Sequence, residues 1–220
     1  MNMNAFSEFV VSSPLSVTFV TQEVVSDIAN LGYAVVSEFV PSSMVNELRY
    51  ELLQRARSNG LRPATVGHGS DNQFRPEIRD DCICWVDHTC VSTPMRNCLH
   101  RFEQLRRTLN QTLYLGLFDF ECHLSEYQAG ARYLRHLDQF KDNDTRRVSC
   151  VLYLNEHWDD DDGGELRLYT DTSDAFRDIK PCGGSLVIFL SDRFEHEVLP
   201  ARRDRYSLAG WFKVRCQESH

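Results

Sequence analysis

From Phe118 onward the sequence alternates with a period of two, and nothing else in the chain constrains the fold as strongly. Short runs rich in β-branched and aromatic residues follow one another: Phe120–Gln128, Val148–Asn155, Glu165–Tyr169, Ser185–Leu190, Glu195–Leu199 and Tyr206–Val214. Turn-forming clusters separate them at Gly163-Gly164, Asp171–Asp174 and Pro181–Gly184. A period of two sends alternate side chains to opposite faces. Many short strands with tight connections therefore predict a mainly β, α+β chain built on a jelly-roll barrel.

The residues before Phe118 have a helical period instead. A helix is expected from Thr21-Gln22-Glu23-Val24 to Gly32, then a strand over Tyr33 to Val40. Pro41-Ser42-Ser43 opens a second helix whose Val45, Leu48 and Leu52 share one face, running toward Gly60. A third begins at Pro94 after Thr93, with Met95, Leu99, Phe102, Leu105 and Leu109 along one side. These stripes read as core faces supporting the sheet. The expected organisation is one domain over 1–220, with 1–117 as helical support plus first strands and a loop, and 118–215 as the core barrel. The loop, Arg62–Arg79, has little periodicity; it suits a plain surface loop and a substrate-covering lid equally.

Charge and leader signals narrow the function classes. The net charge is −8 with no block of Lys or Arg, which disfavours a nucleic-acid partner. The first residues lack a basic n-region and include Glu8, and no run approaches the roughly 20 apolar residues that span a bilayer. Eight scattered cysteines without a CxxC pair suggest reduced, mostly buried thiols in a cytoplasmic protein with no membrane partner. Cys82 and Cys84 share a strand face, for which core packing is the plainer reading.

The chemistry centres on His136-Leu137-Asp138, read as part of a strand. Residues i and i+2 of a strand converge on one side, and His196 in Phe194–Val198 supplies a third ligand from a neighbouring strand. Two histidines and a carboxylate on one face leave three positions open, the arrangement of Fe(II) enzymes that bind a chelating cosubstrate together with O2. A second HxD, His157-Trp158-Asp159, runs into Asp160–Gly164 and reads better as a solvated, acidic turn. His68, His88, His100, His123 and His220 lack ligand-like spacing, and surface or core roles suffice for them. Nine residues after His196, Arg205 opens the last strand and shares a face with Ser207, Ala209 and Trp211. A guanidinium followed by small side chains suits the far end of a narrow dicarboxylate, whereas Arg202 and Arg203 read as surface residues.

Taken together, these blocks resemble the prolyl hydroxylases of the hypoxia-sensing type and their bacterial relatives. The matching blocks are Ile78-Arg79-Asp80-Asp81 with Trp85; Tyr127–Gly130; Tyr133–Asp138; Leu152–Asn155 with Trp158; Gly163–Arg167; and His196–Pro200 leading to Arg205 and Trp211. The resemblance implies a double-stranded β-helix holding Fe(II) through His136, Asp138 and His196. It implies 2-oxoglutarate held at its C5 carboxylate by Arg205 and Tyr153. Tyr127 resembles the active-site tyrosine near the metal-chelating end, Trp211 the wall beside the iron, and Arg79 and Asp81 a pair that shapes the loop over the substrate. Three features depart from the pattern: Asp80 where Gly is frequent, Ala209 where a hydroxyl residue occurs, and a Tyr127-to-His136 spacing one residue short. The implied reaction uses O2, with ascorbate in support, to hydroxylate a prolyl residue of a protein to 4-hydroxyproline. A translation elongation GTPase is a candidate partner. The rivals are hydroxylation of a free amino acid or small molecule, and a non-catalytic metal-binding jelly-roll module.

Overall fold

The computed structural model describes residues 22–67, 73–139, 145–170 and 175–215. The readings made for residues 1–21, His68, the turn Asp171–Asp174, Cys216 and His220 lie outside them.

Helix α1 (Gln22–Asn30) closes at Gly32, whose φ of +86° and bonds back to Asp27 and Ile28 carbonyls form the expected C-terminal cap. Strand β1 (Tyr33–Val36) is shorter than the period suggests. The chain turns at Glu38, φ +56°, and sends Phe39 and Val40 into the core. Apolar residues after a turn pack as well as apolar residues in a strand, so hydrophobicity alone could not find that end. Helix α2 (Ser42–Arg57) buries Val45, Leu48 and Leu52, as their spacing predicts. Helix α3 (Thr93–Leu113) starts one residue earlier than expected, because the Ser92 hydroxyl accepts from the Met95 N–H and becomes the N-cap. It buries Met95, Phe102, Leu105 and Leu109, while Leu99 is only partly covered.

Between α2 and α3 run β2 (Arg62–Pro63) and β3 (Cys82–Trp85), paired antiparallel. The Arg62–Arg79 segment is thus not wholly irregular: it begins in a sheet, pinches at a Val66–Gln73 bridge and ends in an Arg79–Tyr133 bridge. The barrel strands follow as β4 (Asp119–Tyr127), β5 (Tyr133–His136), β6 (Arg146–Tyr153), β7 (Leu166–Tyr169), β8 (Phe176–Ile179), β9 (Leu186–Leu190), β10 (His196–Val198) and β11 (Arg205–Lys213). Strand β8 escaped the sequence pattern because three of its four side chains are exposed and two of them are charged.

All pairs are antiparallel and form two sheets, β1-β9-β6-β11-β4-β3-β2 and β5-β10-β7-β8. This is the double-stranded β-helix arrangement. The period of two explains the layering. On β11, Tyr206, Leu208 and Phe212 join the core shared with the three helices. Its alternate residues, Arg205, Ser207, Ala209 and Trp211, face a cavity between the sheets. A second apolar cluster, including Leu168, Phe189 and Phe194, closes the sandwich beside that cavity.

The cysteine expectation needs correction. Cys98, Cys122 and Cys150 are buried, but Cys82 and Cys84 are only partly covered and Cys90 and Cys182 are exposed. All seven described cysteines are free. No helix among the described residues is long and apolar enough to cross a membrane.

Candidate metal centre

His136 ends β5 and His196 begins β10, and the register makes them direct partners. Asp138 is not on the strand, contrary to the sequence reading; the ladder stops at His136 and the carboxylate arrives from the following bend. Convergence survives because the bend folds back over the strand end. One ligand atom from each of the three lies within 4.8 Å of the others, and no other such group occurs among the described residues. Asp138 Oδ1 is 3.6 Å from His136 Nε2, and Oδ2 is 3.6 Å from His196 Nε2.

The tautomers suit metal binding. His136 Nδ1 is 2.7 Å from the Leu134 carbonyl and His196 Nδ1 is 3.2 Å from that of Phe194. A carbonyl only accepts, so each Nδ1 carries the proton and each Nε2 keeps its lone pair for a cation. Burial and the neighbouring His136 lower His196 to about 4, which keeps it neutral. Burial pushes Asp138 upward, but the two imidazoles and the Ser149 hydroxyl outweigh it and hold the carboxyl well below its usual range.

Surrounding groups fix each ligand. Tyr133 stacks on His136 at 3.6 Å, and the Arg79 guanidinium lies 4.3 Å from the Tyr133 ring centroid. Arg79 is gripped in turn by Asp81 through two bonds of 2.8 and 2.7 Å. The Arg79–Asp81 pair therefore braces the His136 ring through Tyr133. Asp80 has a place too: its carboxylate accepts from the Arg132 N–H at 2.6 Å and ties the loop to β5. Phe189 meets His196 edge-on at 4.7 Å. Asp138, lacking a strand, is held by Ser149 Oγ at 2.7 Å, and Ser149 is 2.9 Å from Ser191 Oγ. Sequence reasoning missed both serines, since an isolated Ser carries no signal.

Arg205, 1% exposed, lines the same cavity as the triad. Its Nε donates to the Gly164 carbonyl at 2.9 Å, while Nη2 has no partner among the described residues. Gly164 is required there: its φ is +73°, and a Cβ would sit 2.8 Å from that of Ala201 and 3.3 Å from Arg205 Cδ. The Gly163-Gly164 turn signal thus also concealed a seat for Arg205. Tyr127 and Tyr153 flank the guanidinium with ring centroids 5.2 and 5.1 Å away. Tyr153 is fully buried, its hydroxyl has no partner among the described residues, and burial raises its pKa to about 12. Burial raises Tyr127 as well, so both phenols stay neutral. A buried guanidinium with Nη2 still to be satisfied, beside a buried phenol, fits an incoming carboxylate. The two-histidine, one-carboxylate donor set fits Fe(II).

This cavity encloses about 470 Å³ and is lined by Thr65, Val66, Trp85, His123, Arg205 and Trp211 among others. Trp211 carries the Arg146 guanidinium 3.7 Å from its ring centroid. His123, read in the sequence as a surface or core histidine, lines this cavity. The signal was present: it shares a strand face with Ser125 and Tyr127. The second HxD behaves as an acidic turn. His157 is exposed, Trp158 donates to the Gly163 carbonyl, and Asp160–Asp162 form a short 3-10 turn.

Residues 122–213 match the 2OG-Fe(II) oxygenase superfamily. A Pseudomonas putida prolyl-4-hydroxylase structure is similar, with 43% identity and a TM-score of 0.79, over 88% of this chain and 98% of that one. So is a Trichoplax adhaerens prolyl hydroxylase, in complex with a hypoxia inducible factor oxygen degradation domain peptide fragment. There the identity is 27% and the TM-score 0.75, over 86% of this chain and 87% of that one. The Caenorhabditis elegans hypoxia-inducible factor prolyl hydroxylase is 29% identical over 209 residues, 90% of this chain and 29% of that protein. The match spans between 20% and 35% of the length of the curated relatives.

Proposed function

The chain belongs to the prolyl hydroxylase family of the 2OG-Fe(II) oxygenase superfamily, and from that premise we propose that it hydroxylates a prolyl residue of a protein substrate at C4. Its cofactors are Fe(II) and 2-oxoglutarate. In this reading His136, Asp138 and His196 hold the metal, and Arg205 with Tyr153 holds the C5 carboxylate. When bound, the metal, 2-oxoglutarate and O2 supply the oxidation that places one oxygen atom on the substrate carbon and releases succinate and CO2.

The chain's own residues contribute position and dryness. Arg205 gives the distal carboxylate a charge-assisted partner in a site closed to water. Tyr127, packed on the same guanidinium, narrows the slot to a slim diacid. Ser149 orients Asp138, and Tyr133 holds the plane of His136. Trp85 and Trp211, 6.1 Å apart, form an aromatic wall at the substrate side. Trp85 is half exposed and so is available to a polypeptide arriving from outside.

The observation that carries this reading is Arg205, whose buried Nη2 has no partner among the described residues, lining the same cavity as His136, Asp138 and His196. A plain metal-binding module has no use for a dicarboxylate clamp. The test is to incubate the protein with cell lysate, Fe(II), 2-oxoglutarate and ascorbate, then map peptides that gain one oxygen on proline. A translation elongation GTPase is the first protein to inspect. Oxygen gained only by free amino acids, or no succinate formed at all, would remove the proposal.

A further inference from the structure

Three cross-strand pairs between β4 and β11 mark depth along the cavity: Tyr127–Arg205, Ser125–Ser207 and His123–Ala209. Successive pairs on one face lie about 6.7 Å apart. The Arg205 guanidinium reaches the Ser125–Ser207 level, with Nη1 3.5 Å from Ser207 Oγ. His123 is one pair further along and packs edge-on against Trp85, which is half exposed, so the imidazole stands on the side of the cavity open to a polypeptide.

The ring is held firmly there. Trp85 meets it edge-on at 5.1 Å and Trp211 tilts against it at 5.5 Å. The opposite residue, Ala209, is small enough to leave the imidazole its position. His123 is 3% exposed, yet its Nδ1 has no hydrogen-bond partner among the described residues. A buried ring nitrogen without a partner is costly in the free protein, so a role in folding does not account for it. Burial and the Arg79 charge lower its pKa to about 4, and the ring is neutral near pH 7. A neutral imidazole offers one N–H and one lone pair, which complements an amide rather than a carboxylate. Proline lacks an N–H, but the flanking amides of a bound polypeptide keep theirs and need partners once desolvated.

We propose that His123 is a substrate-positioning residue, hydrogen-bonding a main-chain amide of the polypeptide beside the target proline. This rests on the prolyl hydroxylase reading above. The experiment uses a synthetic peptide copying the site most strongly hydroxylated in the lysate, with wild type, His123→Leu and His123→Gln. For each protein, KM for the peptide, the dissociation constants of Fe(II) and 2-oxoglutarate, and Tm are measured.

His123→Leu is expected to raise KM by about tenfold, the loss of one hydrogen bond to a desolvated amide. Fe(II) and 2-oxoglutarate affinities should stay near wild type, and Tm should stay level or rise because an unsatisfied polar atom has gone. His123→Gln, which keeps a donor and an acceptor, should recover most of the KM. An unchanged KM in His123→Leu beside an active wild type overturns the assignment alone. A joint fall of Tm and all affinities also overturns it, in favour of a structural histidine. A wild type that hydroxylates no proline overturns the underlying reading, and this assignment with it.

Discussion

His136 and His196 face each other as partners across the β5–β10 ladder, with ring centroids 4.2 Å apart. Two of the three candidate ligands are thus fixed by main-chain hydrogen bonds, and only Asp138 depends on side-chain support. That difference orders the expected effects of substitution.

Loss of either histidine removes a ligand set by the sheet, and nothing nearby can replace it. His136→Ala and His196→Ala should each abolish Fe(II) binding, measured by anaerobic titration, and 2-oxoglutarate turnover with it. His157→Ala should bind Fe(II) as wild type does, since His157 is exposed on the acidic turn. Metal loss in His157→Ala instead would show that the wrong HxD had been assigned.

Ser149→Ala should weaken Fe(II) binding by about 10- to 100-fold, the usual cost of removing a group that orients a ligand. Ser149→Thr keeps the hydroxyl and should restore most of it. Equal affinities in all three proteins would mean that the bend alone holds Asp138.

Arg205→Ala should cost roughly 2–5 kcal/mol in 2-oxoglutarate binding, much of it from the carboxylate left unpaired, or about 30-fold to several thousand-fold in affinity. Arg205→Lys should be a partial rescue, because an ammonium lacks the fork. Fe(II) affinity should barely move in either variant. Unchanged cosubstrate affinity would make Arg205 a structural residue.

Acid stability of the metal-free protein should reflect two buried histidines, His123 and His196, each lowered to about 4 from 6.5. Between those values the unfolded chain binds more protons than the folded one, so stability falls as pH falls from about 6.5 to about 4. Above 6.5 both states hold neutral rings and neither histidine affects stability. The full penalty, roughly 3 kcal/mol for each histidine, is reached below pH 4. His123→Leu should flatten part of that slope in urea titrations run across this range; parallel slopes would contradict it.

Thiol labelling should separate the cysteines by burial. Cys90 and Cys182 should react in the native protein, while Cys98, Cys122 and Cys150 should react only on unfolding. Burial reinforces this by raising the Cys98 pKa to about 12. Modification of Cys150 in the native state would show that the β6 core opens.

The sequence by itself determined the strand periodicity, the helix stripes and the order of the chemical groups. Arg205, Ser207, Ala209 and Trp211 fall on one face because alternation is a property of extended backbone and needs no tertiary information. The same local rule picks out Val45, Leu48 and Leu52 on α2. Other features were settled only when distant segments met. Asp138 left the strand because β5 loses its partner after His136, which depends on where β10 lies. Ser149 and Ser191 became supports for Asp138 because β6 and the end of β9 pass beneath it. Gly164 proved to be a seat for Arg205, 41 residues later in the chain. His123 gained its place in the cavity from Trp85 on one side and Trp211 on the other. Local pattern encodes which face a residue takes, whereas what it meets there is set by long-range packing, and binding chemistry depends on those encounters.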